Sequence, residues 1–193
     1  MGRQRAYDSD RVIDKAIHAF WTRGFEATSI NDLVAATGVN RASLYAGFED
    51  KRGLFLASLA RYDDRQRRGF LDRLARDLPP RDAILAAFEA AATPPASGRP
   101  GGCLLVNTAL EMAPHDAEIR DLVTAALAGV EAFFRERIEA AQSTGTIRAE
   151  IDAARTAQAL LGLFMGLRVL MRAGIPPDAA PAAIISEARA LLM

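Results

Sequence analysis

Residues 28–51 read TSINDLVAATGVNRASLYAGFEDK. Ser29 stands where its side chain can cap a helix, and Asp32 follows three residues later, where an acidic group favours the positive end of that helix. Gly38 permits the positive φ that stops a helix abruptly, and Asn40 can cap the next helix. The stretch therefore predicts two short helices joined by a tight turn.

The second of these helices begins with small, polar and basic side chains. Arg41 can pair bidentately with a guanine edge, and the small residues Ala42 and Ser43 beside it allow close approach to bases. Tyr45 can donate a hydrogen bond to a phosphate oxygen. A helix that carries these groups fits the DNA major groove, as the second helix of a helix-turn-helix does.

The rest of the chain has helical patterning. Half of the 193 residues are hydrophobic, and apolar residues recur at helical spacing almost throughout, which predicts an all-α fold with a sizeable core. About nine helices are predicted: three short ones within residues 10–46, and others near residues 50–78, 81–92, 102–112, 116–143, 153–173 and 178–192. The Pro- and Gly-rich stretch 93–102 is predicted to be a loop.

Charge is divided unevenly along the chain. Residues 1–76 carry 14 of the 24 basic and 10 of the 24 acidic residues, a net charge of +4, so the remainder carries −4. Only the first part is suited to approach phosphate. On the helix predicted for residues 50–78, four arginines are expected to face water: Arg61, Arg65, Arg67 and Arg68.

Several short motifs near the N-terminus follow one another in a familiar order. They are Gly24-Phe25, Thr28-Ser29-Ile30, Gly38-Val39, Leu44-Tyr45, Phe48 and Lys51-Arg52-Gly53-Leu54-Phe55. Over residues 9–56 the chain resembles the TetR family of bacterial transcriptional regulators. The resemblance implies a homodimeric repressor that a small-molecule effector releases from DNA. Ala46-Gly47 departs from the family pattern, which usually has an aromatic residue and a histidine there, so one expected phosphate contact is missing.

The resemblance also implies roles for individual residues. Thr28 and Ser29 would meet a phosphate at the start of the first helix, and Tyr45 and Lys51 would hold the DNA backbone. The side chains expected to face base edges are Asn40, Arg41, Ala42 and Ser43. In the alternative interpretation, the hydroxyl and amide side chains only cap helices, and Tyr45 and Lys51 are ordinary surface groups.

The resemblance divides the chain into residues 1–49, a helix-turn-helix DNA-binding domain, and residues 50–193, a helical ligand-binding and dimerisation domain. Residues 157–171 are apolar on nearly every side, and Gly162 and Gly166 leave room for another backbone. With the following helix they predict a four-helix interface between two copies, which would read a palindromic operator. The alternative is a purely intramolecular core.

A ligand site is predicted around residue 103. Cys103, Asn107 and Glu111 recur every four residues and so share one helix face, and Cys103 lies near a helix amino terminus, where a thiolate reactive toward electrophiles or oxidants is favoured. Further candidates are Phe134, Phe164 and Arg168. The alternatives are a solvated face with one inert thiol, and an Arg168 that pairs with Glu111 or reaches the surface.

Other classes of protein lack support in the sequence. No converging catalytic groups, metal-ligand spacing, phosphate loop or membrane span is recognisable, so we expect a cytoplasmic protein that is no enzyme and needs no cofactor or metal. The remaining alternative is an all-helical protein-interaction scaffold without sequence-specific DNA binding.

Overall fold

The computed structural model describes residues 7–94 and 100–193, and within these ranges it contains helices and no strand. The elements are α1 (Ser9–Arg23), α2 (Ile30–Thr37), α3 (Arg41–Phe48), α4 (Lys51–Tyr62), a π-helical segment (Asp63–Arg68), α5 (Gly69–Asp77), α6 (Pro80–Ala92), α7 (Leu104–Glu111), α8 (Ala117–Ser143), α9 (Ala153–Arg172) and α10 (Ala180–Ala190). Helical backbone continues from α4 through the π segment into α5. Counted as one long helix, they bring the described part of the chain to nine helices, which confirms the all-α prediction. Within the predicted loop, residues 95–99 lie outside the described residues.

Local signals set the helix-turn-helix as predicted. The Ser29 hydroxyl accepts a hydrogen bond from the Asp32 amide at 3.2 Å, and the Asp32 carboxylate accepts one from the Ser29 amide at 2.9 Å, which completes a capping box. Gly38 ends α2 with φ +76°, and the Asn40 side chain caps α3 through the Ser43 amide at 2.9 Å. The turn and both helix starts are therefore fixed by neighbours in sequence.

The first buried cluster joins α1–α4 to the second part of the chain. At its centre, the Phe55 ring lies with its centroid 4.9 Å from those of both Phe20 and Phe25. Leu104 and Leu105 of α7 and residues from the first half of α8 are buried in the same cluster. Three short helices enclose too little apolar surface to be stable alone, and α7 and α8 supply the rest. The predicted domain boundary after residue 49 stays a prediction.

A second buried cluster holds the remaining helices together. It contains residues of α5, α6, the second half of α8, α9 and α10. At its centre the rings of Phe88 and Phe134 stack, and the Phe164 ring packs edge-on against both, with centroids 5.3–5.7 Å apart. Among the helices within residues 7–94 and 100–193, none has the combined length and apolar character that a bilayer span requires.

The long helix differs from expectation in one respect. Its π-helical segment widens the helix between the two clusters, and two arginines that were expected to face water are largely buried in ion pairs. Arg61 binds Asp14 of α1 at 2.5 and 2.8 Å, and Arg67 pairs with Asp63 one turn earlier. Both carboxylates neutralise guanidinium groups that packing has brought in from solvent.

Candidate DNA-binding surface and effector cavity

The α3 helix offers one face to solvent. Asn40, Arg41 and Ala42 are exposed at its start, and Tyr45 follows one turn later with 41% of its surface exposed. On the opposite face, Leu44 is buried against the first cluster. Among the described residues, Arg41 has one side-chain hydrogen-bond partner, the Asn31 side chain, which accepts from its Nη2 at 3.1 Å. This face is therefore exposed and largely polar.

Ser43 is only half-buried and carries a contact that the sequence did not suggest. Its carbonyl accepts a hydrogen bond from the Tyr7 hydroxyl at 3.0 Å, which ties the start of the described chain to α3. A Cβ atom on Gly47 would lie 2.0 Å from that hydroxyl. The unusual glycine at this position therefore makes room for Tyr7, and both residues position the exposed helix.

The amino end of α2 is also exposed, through Ser29. Beside it, hydrogen bonds from Ser29, followed by that from Arg23 at 2.5 Å, hold the pKa of Asp32 at about 2. The Asp32 carboxylate is thus charged at neutral pH, accepts these hydrogen bonds, and forms an ion pair with Arg23. The Ser29 and Asp32 amides are used within the capping box, and the exposed amino end of α2 keeps the positive end of the helix dipole, where an anion is favoured.

Two predicted phosphate contacts are not supported by the geometry. Thr28 is fully buried, and its hydroxyl donates to the Gly24 carbonyl at 2.6 Å. Lys51 is half-buried, and its ammonium donates to the Phe25 carbonyl at 3.0 Å and lies 4.1 Å from the Phe25 ring centroid. Thr28 closes the turn after α1, and Lys51 fastens α4 to that turn.

A cavity of about 30 Å³ lies between the long helix, α7, α8 and α9. Of the predicted ligand residues, Cys103, Phe164 and Arg168 line it. The other lining residues are Tyr62, Arg67, Phe70, Leu71, Leu105, Leu127, Val130 and Met165. The free volume accommodates about one or two water molecules, so an organic ligand would have to push the walls apart.

The remaining predicted ligand residues lie elsewhere. Phe134 is fully buried in the second cluster, and Asn107 is half-buried on α7 outside the cavity lining. The Glu111 carboxylate accepts hydrogen bonds from the amides of Phe25 and Glu26 at 3.0 and 2.8 Å. Phe25 and Glu26 lie in the turn between α1 and α2, so the Glu111 carboxylate fastens that turn to α7.

Tyr62, which the sequence did not single out, connects the cavity to the first cluster. Its hydroxyl lies 3.4 Å from the Cys103 sulfur, and its ring packs edge-on against Trp21 of α1 with centroids 5.1 Å apart. Burial, followed by the nearby Cys103, raises the pKa of Tyr62 well above 10.0, so the phenol stays neutral. Tyr62 therefore contacts both the cavity and α1.

Polar contacts add to this connection. Arg52 of α4 binds Asp116 at 2.8 and 3.0 Å and Glu118 at 2.7 Å, both at the start of α8. Arg172 of α9 donates to the Thr22 carbonyl at 2.7 Å. Together with Glu111, these contacts hold α1 and α4 against α7, α8 and α9.

The sequence and fold match known proteins along most of the chain. The family model "Bacterial regulatory proteins, tetR family" matches residues 12–58, and "Tetracyclin repressor-like, C-terminal domain" matches residues 80–186. The HTH-type transcriptional repressor ComR of Escherichia coli K12 is 32% identical over 175 residues, which are 90% of this chain and 83% of ComR.

Solved structures show the same similarity. A cysteine mutant of the TetR family transcriptional regulator CifR, complexed with 26 bp double-strand operator DNA, has a TM-score of 0.86 and 30% identity and covers 100% of both chains. Reduced NemR of E. coli shares the fold, with a TM-score of 0.83 and 18% identity over 96% of this chain and 97% of NemR.

The C-terminal family model alone spans more than half of the chain, and the similarity to ComR extends over nearly all of it. These matches are to transcription regulators, and they favour the predicted regulator over the alternative of a protein-interaction scaffold. The chain belongs to the TetR family of bacterial transcriptional regulators.

Proposed function

We propose that the protein is a dimeric repressor that acts in the cytoplasm, binds a palindromic operator through α3, and leaves it when the cavity is occupied or Cys103 is modified. The observation that carries this proposal is the exposed start of α3, held rigid from behind by Leu44, Asn40 and Tyr7. A rigid, pre-organised helix loses little conformational freedom when it enters a groove. No catalytic role is assigned to any residue.

Base reading falls to the exposed groups of α3. Arg41 can pair with a guanine once it releases Asn31, Asn40 and Ala42 lie beside it, and Tyr45 reaches a phosphate from the next turn. The exposed amino end of α2 at Ser29 is suited to a second phosphate. Operator binding by CifR, which is 30% identical to this chain, supports the proposal.

Dimerisation falls to α9, together with α10. One side of α9 is buried in the second cluster, but Gly162 is exposed, Val169 is 44% exposed, and a Cβ atom on Gly162 or Gly166 would meet nothing within 4 Å. A second copy can therefore approach this face closely. Twofold symmetry would set the two α3 helices about 34–36 Å apart, one turn of DNA.

Release follows from where the cavity lies. Its walls include the π segment and α5, so a ligand that enlarges the cavity displaces the long helix that leads to the DNA-binding helices. In the released form of the dimer, the two α3 helices would be spread beyond the operator spacing. The ligand must bind this form more tightly than the DNA-bound form, since otherwise the populations of the two forms do not shift. An electrophile or oxidant that modifies Cys103 would add bulk to the lining of the same cavity and so act on the long helix in the same way.

Binding of the purified protein to duplexes selected from a random library tests the proposal. We expect a palindrome whose affinity falls steeply with salt as phosphate contacts are lost. Arg41→Ala should weaken that site by about 1–3 kcal/mol and relax one base position in each half-site, while Arg76→Ala, at an exposed arginine of α5, should not. Cys103→Ser should abolish release by electrophiles and leave release by other ligands intact. A protein that selects no sequence would contradict the proposal.

A further inference from the structure

The cavity carries an unusual charge. Arg168 lines it but pairs with no carboxylate among the described residues. Its Nη1 makes one long hydrogen bond, 3.4 Å to the Gly102 carbonyl, its Nε is buried without a partner, and its guanidinium lies 5.1 Å from the Phe164 ring centroid. The Arg168 side chain is half-buried, and a half-buried guanidinium with so few partners gains from an added anion.

The second arginine of the cavity differs. Arg67 is bound by both carboxylate oxygens of Asp63, so its charge is already compensated. The described cavity lining contains no acidic residue, and the only other polar groups are the Tyr62 hydroxyl and the Cys103 thiol. The cavity is therefore left with a single uncompensated positive charge, which matches a monoanion.

A second hydrogen-bond donor stands on the same wall. The Tyr62 hydroxyl has the Cys103 sulfur as its side-chain partner at 3.4 Å, and a thiol sulfur is a weak acceptor. A carboxylate oxygen would be a better partner for this hydroxyl while also meeting Arg168. The rest of the lining is apolar, with Phe70, Leu71, Leu105, Leu127, Val130 and Met165.

We propose that the effector is a small organic monocarboxylate with an apolar body, bound by Arg168 and Tyr62 with its body among the leucine, valine and phenylalanine side chains. This proposal rests on the proposed function, because it names the ligand of the same cavity. Binding enlarges the cavity at the π segment and at Tyr62, and the Tyr62 ring passes the change to Trp21 of α1.

Thermal unfolding at constant ionic strength tests the ligand class without DNA. Hexanoate and benzoate are the probes, and hexanamide and benzamide are their neutral counterparts of the same shape. We expect the carboxylates to raise the Tm of the protein in a concentration-dependent way. The amides should bind at least about tenfold more weakly, so that they need a correspondingly higher concentration for the same shift. Arg168→Gln should abolish the carboxylate shift, and Arg168→Lys should retain part of it. Arg155→Gln, at an exposed arginine of the same helix, should leave the shift unchanged.

The outcomes separate the two proposals. Equal shifts by acids and amides, no shift by either acid, or a full shift in a folded Arg168→Gln variant would each overturn the carboxylate proposal, even if the protein binds its palindrome. If Arg168→Gln fails to fold, the acid and amide comparison on the unaltered protein and on Arg168→Lys decides. A carboxylate shift in a protein that selects no palindrome would support the ligand class and contradict the repressor.

Discussion

Thr28 and Ser29 are neighbours with similar side chains, yet they face opposite environments. The Thr28 hydroxyl is buried on the Gly24 carbonyl, whereas the Ser29 hydroxyl caps α2 at the exposed amino end of the helix. The resemblance to the family implied a phosphate contact for both residues. A motif match transfers the roles of residues, but it carries no information on the orientation of their side chains. Only the packing of α1 against α2 decides which hydroxyl reaches solvent.

The buried position of Thr28 leads to a prediction for Thr28→Val. Thr28→Val keeps the shape but leaves the Gly24 carbonyl without its buried partner, so it should lower the free energy of unfolding by about 1–2 kcal/mol. Under conditions where the variant stays folded, the salt dependence of operator binding should match that of the unaltered protein. Denaturant unfolding and a salt titration of DNA binding measure the two effects. Ser29→Ala is the matched control: it should cost about 1 kcal/mol as a lost cap and also weaken DNA binding. A reduced salt slope in Thr28→Val would contradict its buried role.

Among the elements, those with signals close in sequence were predictable. The capping box, Gly38 and Asn40 fixed α2 and α3 from neighbours within four residues. The π segment has no such signal, since its charged residues, including the Arg67–Asp63 pair within it, read as ordinary surface helix. Glu111 likewise fits a ligand stripe by spacing, but its carboxylate meets amides 85 and 86 residues away. Contacts of that separation depend on how helices pack, which periodicity does not encode.

The junction of α4 and α8 supports a prediction on pH. Hydrogen bonds from Arg52, followed by that from the Ile119 amide, hold the pKa of Asp116 at about 2, below its ordinary value of 3.8. Because the folded-state pKa is lowered, the carboxylate stabilises the fold fully above pH 4, and this stabilisation is lost as the pH falls toward 2. Asp116→Asn keeps a side chain that can cap α8 but removes the charge. The variant should therefore be less stable than the unaltered protein at pH 7.

Denaturant unfolding at pH 7, 4 and 2 measures this difference. It should be similar at pH 7 and pH 4 and small at pH 2. Asp152→Asn, at the cap of α9, is the control, because that carboxylate caps α9 without an arginine partner among the contacts described. A stability difference for Asp116→Asn that persists unchanged at pH 2 would show that the ion pair with Arg52 is not its source.

The two clusters have different roles in the proposed regulator. The first cluster holds α3 rigid, the second holds α9 with one face bare, and the cavity lies where the long helix passes between them. Each half-operator contact is weak alone, so tight binding requires two copies joined at a fixed distance. In the proposed dimer, the uncovered face of α9 is as important for DNA binding as the exposed face of α3.

Gly162→Glu tests this dependence. A Cβ atom at this exposed position would meet nothing within 4 Å in one copy, and glutamate is a better helix former than glycine, so the folded monomer should be at least as stable as before. A charge at the centre of the proposed interface should nevertheless keep two copies apart and reduce operator affinity by about 10²–10⁴-fold. Sedimentation and DNA titration on one preparation measure both effects. Ala90→Glu, on the exposed face of α6, should change neither. A Gly162→Glu protein that remains a dimer with full affinity would place the twofold axis elsewhere.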